Sequence, residues 1–585
     1  MFCRRSVFCS PILIAILTCG CARQSAPGVQ RLAVLPLENL SSDPQWSWYS
    51  RALAAAVEYD LAGGKVIFAQ IVDSVPAAQS MQASQALEGY FFARNGHITL
   101  RATVEDLRTM RAVGHIEIEG PLAGGLLPLA NELARRLSPA ARMFGTDNEN
   151  AFRLYGQAME ATTAEARERA LESAIAADPK FALGYRDQAR LLAGTGAKER
   201  ALQVIQAGER EHPNSIDGAE LRYVAASLSG DANGRMQALE TLAHFVPANA
   251  ATFADLGQAH FARRNFPEAV RNYQTATHLN PDEPNAWNQL GYALAWTRDL
   301  NGARRAIEEY GKLASDATNS LDSLGEVSFF LGDFEAATKY FEQAAQKNRA
   351  ELLKAAEARL MTGDLAGADA LVAKYLRPAQ GGPAGRASYQ MAQWEFLTGR
   401  RKAGTAALEK LVAQLDSDAQ SLALSQLAIW KLETGDPKAA MDLANQAVAH
   451  AQSPQTRGMA GLSRFLASRS AAPSGSDLAD AYALLFAQKY KEAVPVLQKA
   501  YQETGPSTDG QVRVLLAWAR VETGGFGEAG KLLEMCPLPL SSGEPMFASL
   551  IFPRYFALRA AVLEKQGKAD EAKKNRELLL KYSGS

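Results

Sequence analysis

The chain contains very little cysteine. Only five of its 585 residues are cysteines, and four of these, Cys3, Cys9, Cys19 and Cys21, lie within the first 21 residues. Cys536 is the one cysteine after that point. This distribution excludes a disulfide framework and a cysteine-based metal site in the body of the chain. We interpret Cys536 as a small apolar residue of the core.

An excess of positive charge is also missing. Lysine and arginine number 62 against 63 aspartate and glutamate, whereas nucleic-acid binding requires a concentrated basic surface. The seven histidines are scattered, and none belongs to a His-Glu-x-x-His metal motif or lies near a Gly-x-Ser-x-Gly nucleophile elbow. No pair of carboxylates stands out as an acid–base pair. We therefore expect no nucleic-acid partner, no metal, no small-molecule cofactor and no enzymatic activity.

What the sequence does contain is a repeat of 34 residues. Gly257, Gly291 and Gly325 are spaced by this interval, each at the end of a bulky-x-x-Leu-Gly pattern, and Trp287 is the bulky residue of the second copy. Alanines and prolines recur at the same interval, namely Ala269, Ala303 and Ala337, and Pro179, Pro213, Pro247 and Pro281. One copy would be weak evidence, whereas coincident spacings of three residue types indicate a repeat architecture.

The small residues and the prolines have a physical reason. Gly257 and Ala269 are expected where the two helices of one hairpin cross, because only a small side chain lets the backbones approach. Pro281 ends the second helix, since proline lacks the N–H donor and restricts the residue before it. The unit resembles the tetratricopeptide repeat, a helical hairpin that stacks into a right-handed solenoid. This resemblance implies a mostly α-helical fold that binds protein or peptide partners.

The repeats are predicted to span residues 148–456. Six units keep the 34-residue interval as far as Glu351, and three later turns, at Gly363, Gly399 and Gly435, are 36 residues apart. A helix and linker are expected over 457–475. Residues 476–585 are predicted to form three degenerate units, with turns near Gln488, Gly524 and Gly567. The total is about twelve hairpins.

Residues 31–140 read differently and predict a small α/β domain of order βαβαβββα. Leu32-Ala-Val-Leu-Pro-Leu-Glu-Asn-Leu-Ser-Ser-Asp-Pro44 begins it, and Leu87-Glu-Gly-Tyr-Phe, Ile98-Thr-Leu-Arg-Ala-Thr-Val and Leu129-Ala-Asn-Glu-Leu-Ala-Arg-Arg-Leu137 follow. These segments resemble the amino-terminal domain of TolB-type proteins and the equivalent domain of CadC-like regulators. The resemblance implies a non-catalytic domain that docks or couples partner proteins.

The first 21 residues are predicted to be an export signal. Arg4 and Arg5 precede a short apolar run from Val7 to Leu17, which is too short to span a bilayer comfortably. The following Leu-Thr-Cys-Gly-Cys resembles a bacterial lipoprotein box, and Cys21 is the better lipid acceptor because Gly20 precedes it. Residues 22–30 would then be a linker. We expect an exported protein with a lipid anchor at the periplasmic face of the outer membrane; an ordinary cleaved signal peptide is the alternative.

The tetratricopeptide resemblance also predicts a binding groove lined by the first helix of each hairpin. Its positions are occupied by Asn285, Asn288, Tyr292 and Trp296 in one unit and by Asn319, Asp322, Glu326 and Phe330 in the next. Asparagine can bond a peptide backbone, and tyrosine and tryptophan offer apolar area with a polar tip. An open alternative is that Trp296 and Phe330 cap the hairpin turn instead.

Two hypotheses of function follow. The favoured one is a non-enzymatic envelope lipoprotein that acts as a protein-interaction scaffold or adaptor through its groove. The alternative is a hydrolase or transferase activity hidden in the divergent C-terminal third.

Overall fold

The structure is a computed structural model that describes residues 29–584, apart from residues 42, 213, 378–383, 469–476 and 537–547. Within these ranges it contains 28 α-helices and one six-stranded sheet. The predicted fold class, mostly α-helical with a small α/β domain before a helical solenoid, is confirmed. The predicted signal peptide, Cys21 and most of the linker lie outside the described residues. No helix in the described part is long and apolar enough to cross a membrane.

The α/β domain comes first. Its strands are β1 (Gln30–Val34), β2 (Glu38–Asn39), β3 (Ile67–Ile71), β4 (Gln85–Arg94), β5 (His97–Asp106) and β6 (Arg111–Pro121), and its helices are α1 (Tyr49–Leu61), α2 (Val75–Ser80) and α3 (Leu127–Leu137). The strand order is β3-β1-β4-β5-β6, with β2 paired to β4. Strand β1 is parallel to β3 and β4, whereas β4, β5 and β6 are antiparallel.

The predicted succession of elements is observed with two differences. The predicted order lacks the two-residue β2, and the second helix, which the sequence pattern predicts from about Ala77 to Ala86, ends at Ser80. Residues 85–94 form a strand because Ala86 and Leu87 pair with β1 and are fully buried. Pairing within the sheet therefore overrides the helix propensity of this alanine-containing stretch.

One face of the sheet is covered by α1 and α3. This side of the domain core contains four large buried side chains at the start of α1 and along it, namely Trp48, Leu53, Val57 and Leu61. On the other face, α2 covers Ala33 and Ala86. The part of the second face near Phe68 and Gln70 is turned towards the repeats.

Six helical hairpins follow. They are α4 (Glu149–Glu160) with α5 (Ala164–Ala177), α6 (Ala182–Gly194) with α7 (Lys198–Glu211), α8 (Ile216–Ser229) with α9 (Ala232–Phe245), α10 (Ala250–Ala262) with α11 (Phe266–Leu279), α12 (Pro284–Trp296) with α13 (Leu300–Leu313), and α14 (Ala317–Phe330) with α15 (Phe334–Ala344). Each helix packs on its hairpin partner, and the second helix of each hairpin packs on the first helix of the next hairpin. We number these hairpins one to six.

The solenoid continues with hairpins seven to nine, a single helix α22 and hairpins ten to twelve. They are α16 (Glu351–Met361) with α17 (Leu365–Leu376), α18 (Ala384–Leu397) with α19 (Arg401–Val412), α20 (Ser417–Glu433) with α21 (Pro437–His450), α22 (Pro454–Ser468), α23 (Asp477–Phe486) with α24 (Tyr490–Glu503), α25 (Gly510–Glu522) with α26 (Phe526–Leu532), and α27 (Ala548–Lys565) with α28 (Ala569–Ser583). The turns predicted near Gln488, Gly524 and Gly567 lie between paired helices.

Hairpins ten to twelve, which we call the C-terminal arm (477–584), fold back onto the turn ends of hairpins four to eight. The carboxylate of Asp509 is fully buried and pairs with Arg264 at 2.6 Å and with Arg513 at 2.5 Å. Further along, Arg298 donates to Glu534 O at 2.8 Å, Cys536 N donates to Phe330 O at 3.1 Å, and Tyr582 Oη donates to Leu360 O at 2.8 Å. The array is therefore closed on itself instead of remaining an open spiral.

The α/β domain lies against the first helices of hairpins one to five, a surface that we call the first-helix face. Helix α1 packs on α4. Tyr59 Oη donates to Asp217 Oδ2 of α8 at 2.7 Å, and Arg31 pairs with Asp282 before α12 at 2.6 Å. The domain thus covers part of the surface on which the sequence predicts a partner.

Candidate functional site

A cavity of about 700 Å³ remains between the α/β domain and hairpins four and five. We call it the domain–repeat cavity. One wall is the second face of the sheet, with Phe68 and Val72, and the other wall is formed by α10, α11 and α12. Its volume is within the range of about 300–1,000 Å³ that is usual for ligand sites.

Small side chains on the helices create this space. Ala254 of α10, Ala276 of α11 and Ala286 of α12 line the repeat wall, and Phe68 lines the wall formed by the sheet. Longer side chains at these three positions would extend into the gap. Both walls are therefore mostly apolar, and a ligand can bury apolar surface on two sides.

The polar groups of the cavity are chiefly amides. Gln70 of β3 and Asn285 and Gln289 of α12 line it. Gln258 accepts a hydrogen bond from Tyr273 Oη at 3.0 Å, and burial raises the pKa of Tyr273 above its usual value, so this phenol stays a neutral donor. Amide side chains both donate and accept, which matches the requirements of a peptide backbone.

The charged side chains at the cavity already have partners. Arg31 pairs with Asp282 at 2.6 Å, and Asp255 accepts from Tyr223 Oη at 3.2 Å. Glu283 caps α12 by accepting from Asn285 N at 3.2 Å. Arg31 is therefore held in an ion pair, whereas the hydrogen bonds to Asp255 and Glu283 come from neutral donors.

A polar bridge closes one end of the cavity. Arg31 Nε donates to Gln82 O at 2.6 Å, and Asn280 Nδ2 donates to Gln82 Oε1 at 3.1 Å. The other amide atom of Asn280, Oδ1, is buried and accepts no hydrogen bond from the described residues. Gln82 has a φ of +56°, a backbone conformation that non-glycine residues seldom adopt and that is found preferentially at functional sites.

Of the predicted groove residues on α12, only Asn285 lines the domain–repeat cavity, where it is exposed. Asn288, one turn further on, has a buried Oδ1 that accepts no hydrogen bond from the described part of the chain. Tyr292 Oη donates to Glu326 Oε2 at 2.6 Å, and burial raises the pKa of Tyr292 well above its ordinary value. Tyr292 is therefore a packed link between neighbouring hairpins.

Asp322 and Glu326 belong to an ion cluster that the sequence does not predict. Lys354 Nζ lies 2.6 Å from Asp322 and 2.9 Å from Glu326, and 3.4 Å from Glu351. Burial raises the pKa of Asp322 to about 6 despite the nearby Lys354 ammonium. The sequence does not predict Lys354 as a partner because the 34-residue interval loosens after Glu351. Buried carboxylates usually have a cationic partner, and this rule is the signal that could have suggested the lysine.

The remaining predicted groove residues lie near the turn end or on its outside. Phe330 is only 6% exposed, and its ring packs edge-on against Trp296 with 5.4 Å between centroids. This position corrects the placement of Phe330 in an open groove and agrees with the alternative in which the two rings cap the turn. Asn319 is exposed and donates to Tyr310 Oη at 2.7 Å.

The residues predicted to shape the repeat lie at helix crossings. An added Cβ at Gly257 would be 2.8 Å from the Tyr273 ring, and one at Gly325 would be 2.5 Å from the Phe341 ring; at Gly291 it would overlap Ile307. Ala269, Ala303 and Ala337 are fully buried. Pro281 lies between hairpins four and five, and its carbonyl accepts from Trp287 Nε1 at 2.8 Å.

Comparison with known proteins finds similarity to repeat proteins in this part of the chain. A family model described as a TPR repeat matches residues 257–295, which run from α10 through α11 into α12. Residues 257–295 are therefore similar to the tetratricopeptide repeat. A curated TPR repeat-containing protein of Pseudomonas aeruginosa is 28% identical over 185 residues, which is 31% of this chain and 25% of that protein. The chain thus matches about a quarter of the length of this relative.

Two solved structures are also similar to this chain. YrrB, described as a TPR protein with an unusual peptide-binding site, is 18% identical, with a TM-score of 0.29, and the match covers 32% of this chain and 97% of YrrB. The Naa15/Naa10 structure bound to HypK-THB is 13% identical, with a TM-score of 0.31 and coverage of 74% and 68%. The TolB-like character of the α/β domain stays a prediction.

Within the described residues, the C-terminal third consists of helical hairpins packed on the earlier hairpins. Cys536 is buried, with Sγ 3.0 Å from Tyr555 Oη. Among the described residues, no group of three or more histidine, cysteine, aspartate or glutamate side chains could hold a metal ion. The alternative of a hydrolase or transferase activity in this region stays an untested prediction.

Proposed function

We propose that this chain is a non-enzymatic interaction scaffold that holds a segment of a partner protein in the domain–repeat cavity. The observation that supports this most directly is the cavity itself, which has apolar walls on two independent elements and the side-chain amides of Gln70, Asn285 and Gln289 in its lining. The α/β domain supplies one wall, which agrees with the coupling role implied by its resemblance to TolB-type domains.

A photo-crosslinking amino acid at Gln289 tests this proposal in cells that make the full chain. We expect adducts with a defined partner from Gln289, inside the cavity, and none from Gln274, an exposed glutamine of α11 that does not line it. The adducts should disappear in Ala254→Trp, which fills the cavity, and persist in Ala262→Trp at an exposed site of the same helix. Equal labelling from Gln289 and Gln274 contradicts the proposal.

We further propose that the scaffold is an envelope lipoprotein anchored through Cys21 at the periplasmic face of the outer membrane. The support is the sequence alone: a basic start, a short apolar run and Gly20 before the cysteine. Several acyl chains hold a protein firmly at a membrane, whereas one holds weakly. Cys21→Ser should therefore release the protein into the soluble periplasmic fraction, while Cys19→Ser should leave it in the membrane fraction. Unchanged fractionation of Cys21→Ser argues against the anchor.

A further inference from the structure

The domain–repeat cavity carries two carboxylates that are not neutralised. Asp255 of α10 accepts a hydrogen bond from Tyr223 Oη at 3.2 Å, and Glu283 accepts one from Asn285 N at 3.2 Å. Both donors are neutral, and neither carboxylate forms an ion pair with the described residues. A carboxylate beside apolar walls is most stable when a cation lies against it. The lining is therefore short of positive charge.

The arginines near these carboxylates do not supply that charge. Arg31 lines the cavity, but its guanidinium pairs with Asp282 at 2.6 Å and donates to Gln82 O at 2.6 Å. Partial burial raises the pKa of Asp255, whereas the charge of Arg235 lowers it without an ion pair between the two in the described part of the chain. The negative charge of Asp255 is thus available to a ligand.

An acceptor without a donor adds to this preference. Asn280 lines the cavity, and its Oδ1 is buried and accepts no hydrogen bond from the described residues. Asp255 and Glu283 can accept further hydrogen bonds as well, because a carboxylate offers about four acceptor sites. A ligand that only donates suits such a lining, and an ammonium group donates hydrogen bonds but cannot accept them.

Apolar side chains on both walls determine the rest of the ligand. Phe68 and Val72 line the cavity on the sheet, and Ala254, Ala276 and Ala286 line it on the repeats. We propose that the domain–repeat cavity binds a small organic ammonium ion whose charged group pairs with Asp255 and whose apolar body contacts both walls. This inference goes beyond the proposed scaffold function and does not rest on it, because the ligand is a small molecule.

A matched set of small molecules tests the chemistry. Phenylbutylammonium, phenylbutanol and phenylbutanoate share one apolar body and differ in charge. In isothermal titration of the full chain, the ammonium should bind about tenfold more tightly than the alcohol, and the carboxylate should not bind. Added salt should weaken binding of the ammonium. Equal affinity for the ammonium and the alcohol, tighter binding of the carboxylate, or no binding of the ammonium at millimolar concentration overturns the inference.

Variants test whether the ammonium lies in the cavity. Asp255→Asn removes the charge and keeps an acceptor for Tyr223, and it should weaken binding of the ammonium about tenfold. Glu240→Gln is the matched control, because Glu240 is an exposed residue of α9 that does not line the cavity. Ala254→Trp should abolish binding, and Ala262→Trp, at an exposed site of the same helix, should retain it. Undiminished binding in Asp255→Asn or Ala254→Trp, or equal weakening by Glu240→Gln, contradicts the proposed site.

This inference and the scaffold function fail separately. If the ammonium does not bind but crosslinks from Gln289 to a protein partner are found, the ligand inference is wrong and the scaffold function stands. If the ammonium binds and no crosslinks form, the scaffold function is wrong and the ligand site stands. If both are observed, saturating phenylbutylammonium should reduce the adducts, because the two occupants share one cavity; adducts that persist count against the scaffold function alone.

Discussion

The regular repeats and the C-terminal arm bury their apolar side chains in different ways. In hairpins four and five the buried cluster is local: Phe261 and Tyr273 pack with Leu290 of the neighbouring hairpin. In the later part of the chain, one continuous cluster extends from Phe329 to Tyr582 and joins elements that are more than two hundred residues apart. The first region behaves as a stack of neighbours, whereas the second depends on long-range docking.

The contact between the two regions is made by unusual turns. Most hairpin turns place a glycine in the left-handed backbone region, for example Gly332 with φ +87°. In hairpins four and five this residue is Arg264 or Arg298, with φ values of +60° and +68°. Both arginines bond to the C-terminal arm. Strain at these turns thus coincides with the long-range contact, and each region can be perturbed separately.

The largest effect is expected from breaking the long-range contact. Asp509→Ala removes the buried carboxylate between Arg264 and Arg513, and leaving buried charges without a partner costs about 3–5 kcal/mol. Denaturant unfolding measures the loss, and limited proteolysis should show that the C-terminal arm becomes cleavable first. The control is Asp436→Ala, which removes only a helix cap and should cost about 1 kcal/mol. Equal losses would mean that the arm is not held by this carboxylate.

The next effect is local. Gly291→Leu places a side chain where even a Cβ overlaps Ile307, and overpacking costs about 1–3 kcal/mol or more. Hydrogen exchange should show faster opening in hairpins four to six and little change in the C-terminal arm. Gly461→Leu in α22 is the matched control, since a Cβ there meets nothing within 4 Å. If Gly291→Leu loosens the whole chain uniformly, the stack-of-neighbours description of this region is incorrect.

A pH dependence is expected where the α/β domain joins the first repeats. Asp60 is 1% exposed, its carboxylate accepts no hydrogen bond from the described residues, and burial raises its pKa to about 8. The folded state therefore keeps a proton that the unfolded state releases above about pH 4. Between about pH 4 and pH 8 this group lowers the free energy of unfolding by up to about 1.4 kcal/mol per pH unit as pH rises.

The variant Asp60→Asn isolates this contribution. Its free energy of unfolding should fall less than that of the wild type between pH 5 and pH 8, as measured by thermal or denaturant unfolding at several pH values. Asp106→Asn provides a control of opposite sign, because hydrogen bonds from Thr109 lower the pKa of Asp106 and its stabilisation is lost only in acid. Parallel pH profiles for Asp60→Asn and the wild type would show that the carboxyl ionises freely.

The smallest effect concerns the polar link between hairpins five and six. Tyr292→Phe removes the hydroxyl that donates to Glu326 but leaves the ring in place and Glu326 bonded to Lys354. We expect a loss of about 0.5–1.5 kcal/mol in denaturant unfolding. Tyr310→Phe, which removes a bond to the exposed Asn319, should cost less. If Tyr310→Phe lowers the free energy of unfolding more than Tyr292→Phe does, the hydrogen bond from Tyr292 to Glu326 is not the main polar link between these hairpins.

The repeat architecture could be predicted from the sequence because its signals are local. Gly257 and Ala269 lie twelve positions apart, and the same pair recurs as Gly291 with Ala303 and as Gly325 with Ala337. The docking of the C-terminal arm could not be predicted, because no repeat interval in the sequence relates Arg264 to Asp509. The one available signal was an arginine at a turn where most other copies carry glycine.

The candidate site was predicted only in part, for a related reason. The sequence predicts Asn285 on the first-helix face, and this residue lines the cavity. The sequence of the repeats does not show that the α/β domain supplies another wall, with Phe68. The position of a residue within the repeat unit also does not distinguish residues that face a groove from residues that are packed. Tyr292 and Phe330 occupy predicted groove positions, as Asn285 does. Tyr292 is nevertheless packed against the neighbouring hairpin, and Phe330 is buried at the turn end.

The closure of the array has a consequence for how this protein can change in evolution. Successive turn ends, from Arg264 in hairpin four to Gly399 in hairpin eight, meet successive parts of the C-terminal arm. Open solenoids usually vary in length by gain or loss of one repeat unit through recombination. In this chain such a change would displace every later turn end from its contact on the C-terminal arm. The number of hairpins between the two ends of this contact is therefore constrained, and length variation among descendants should be confined to the segments outside it.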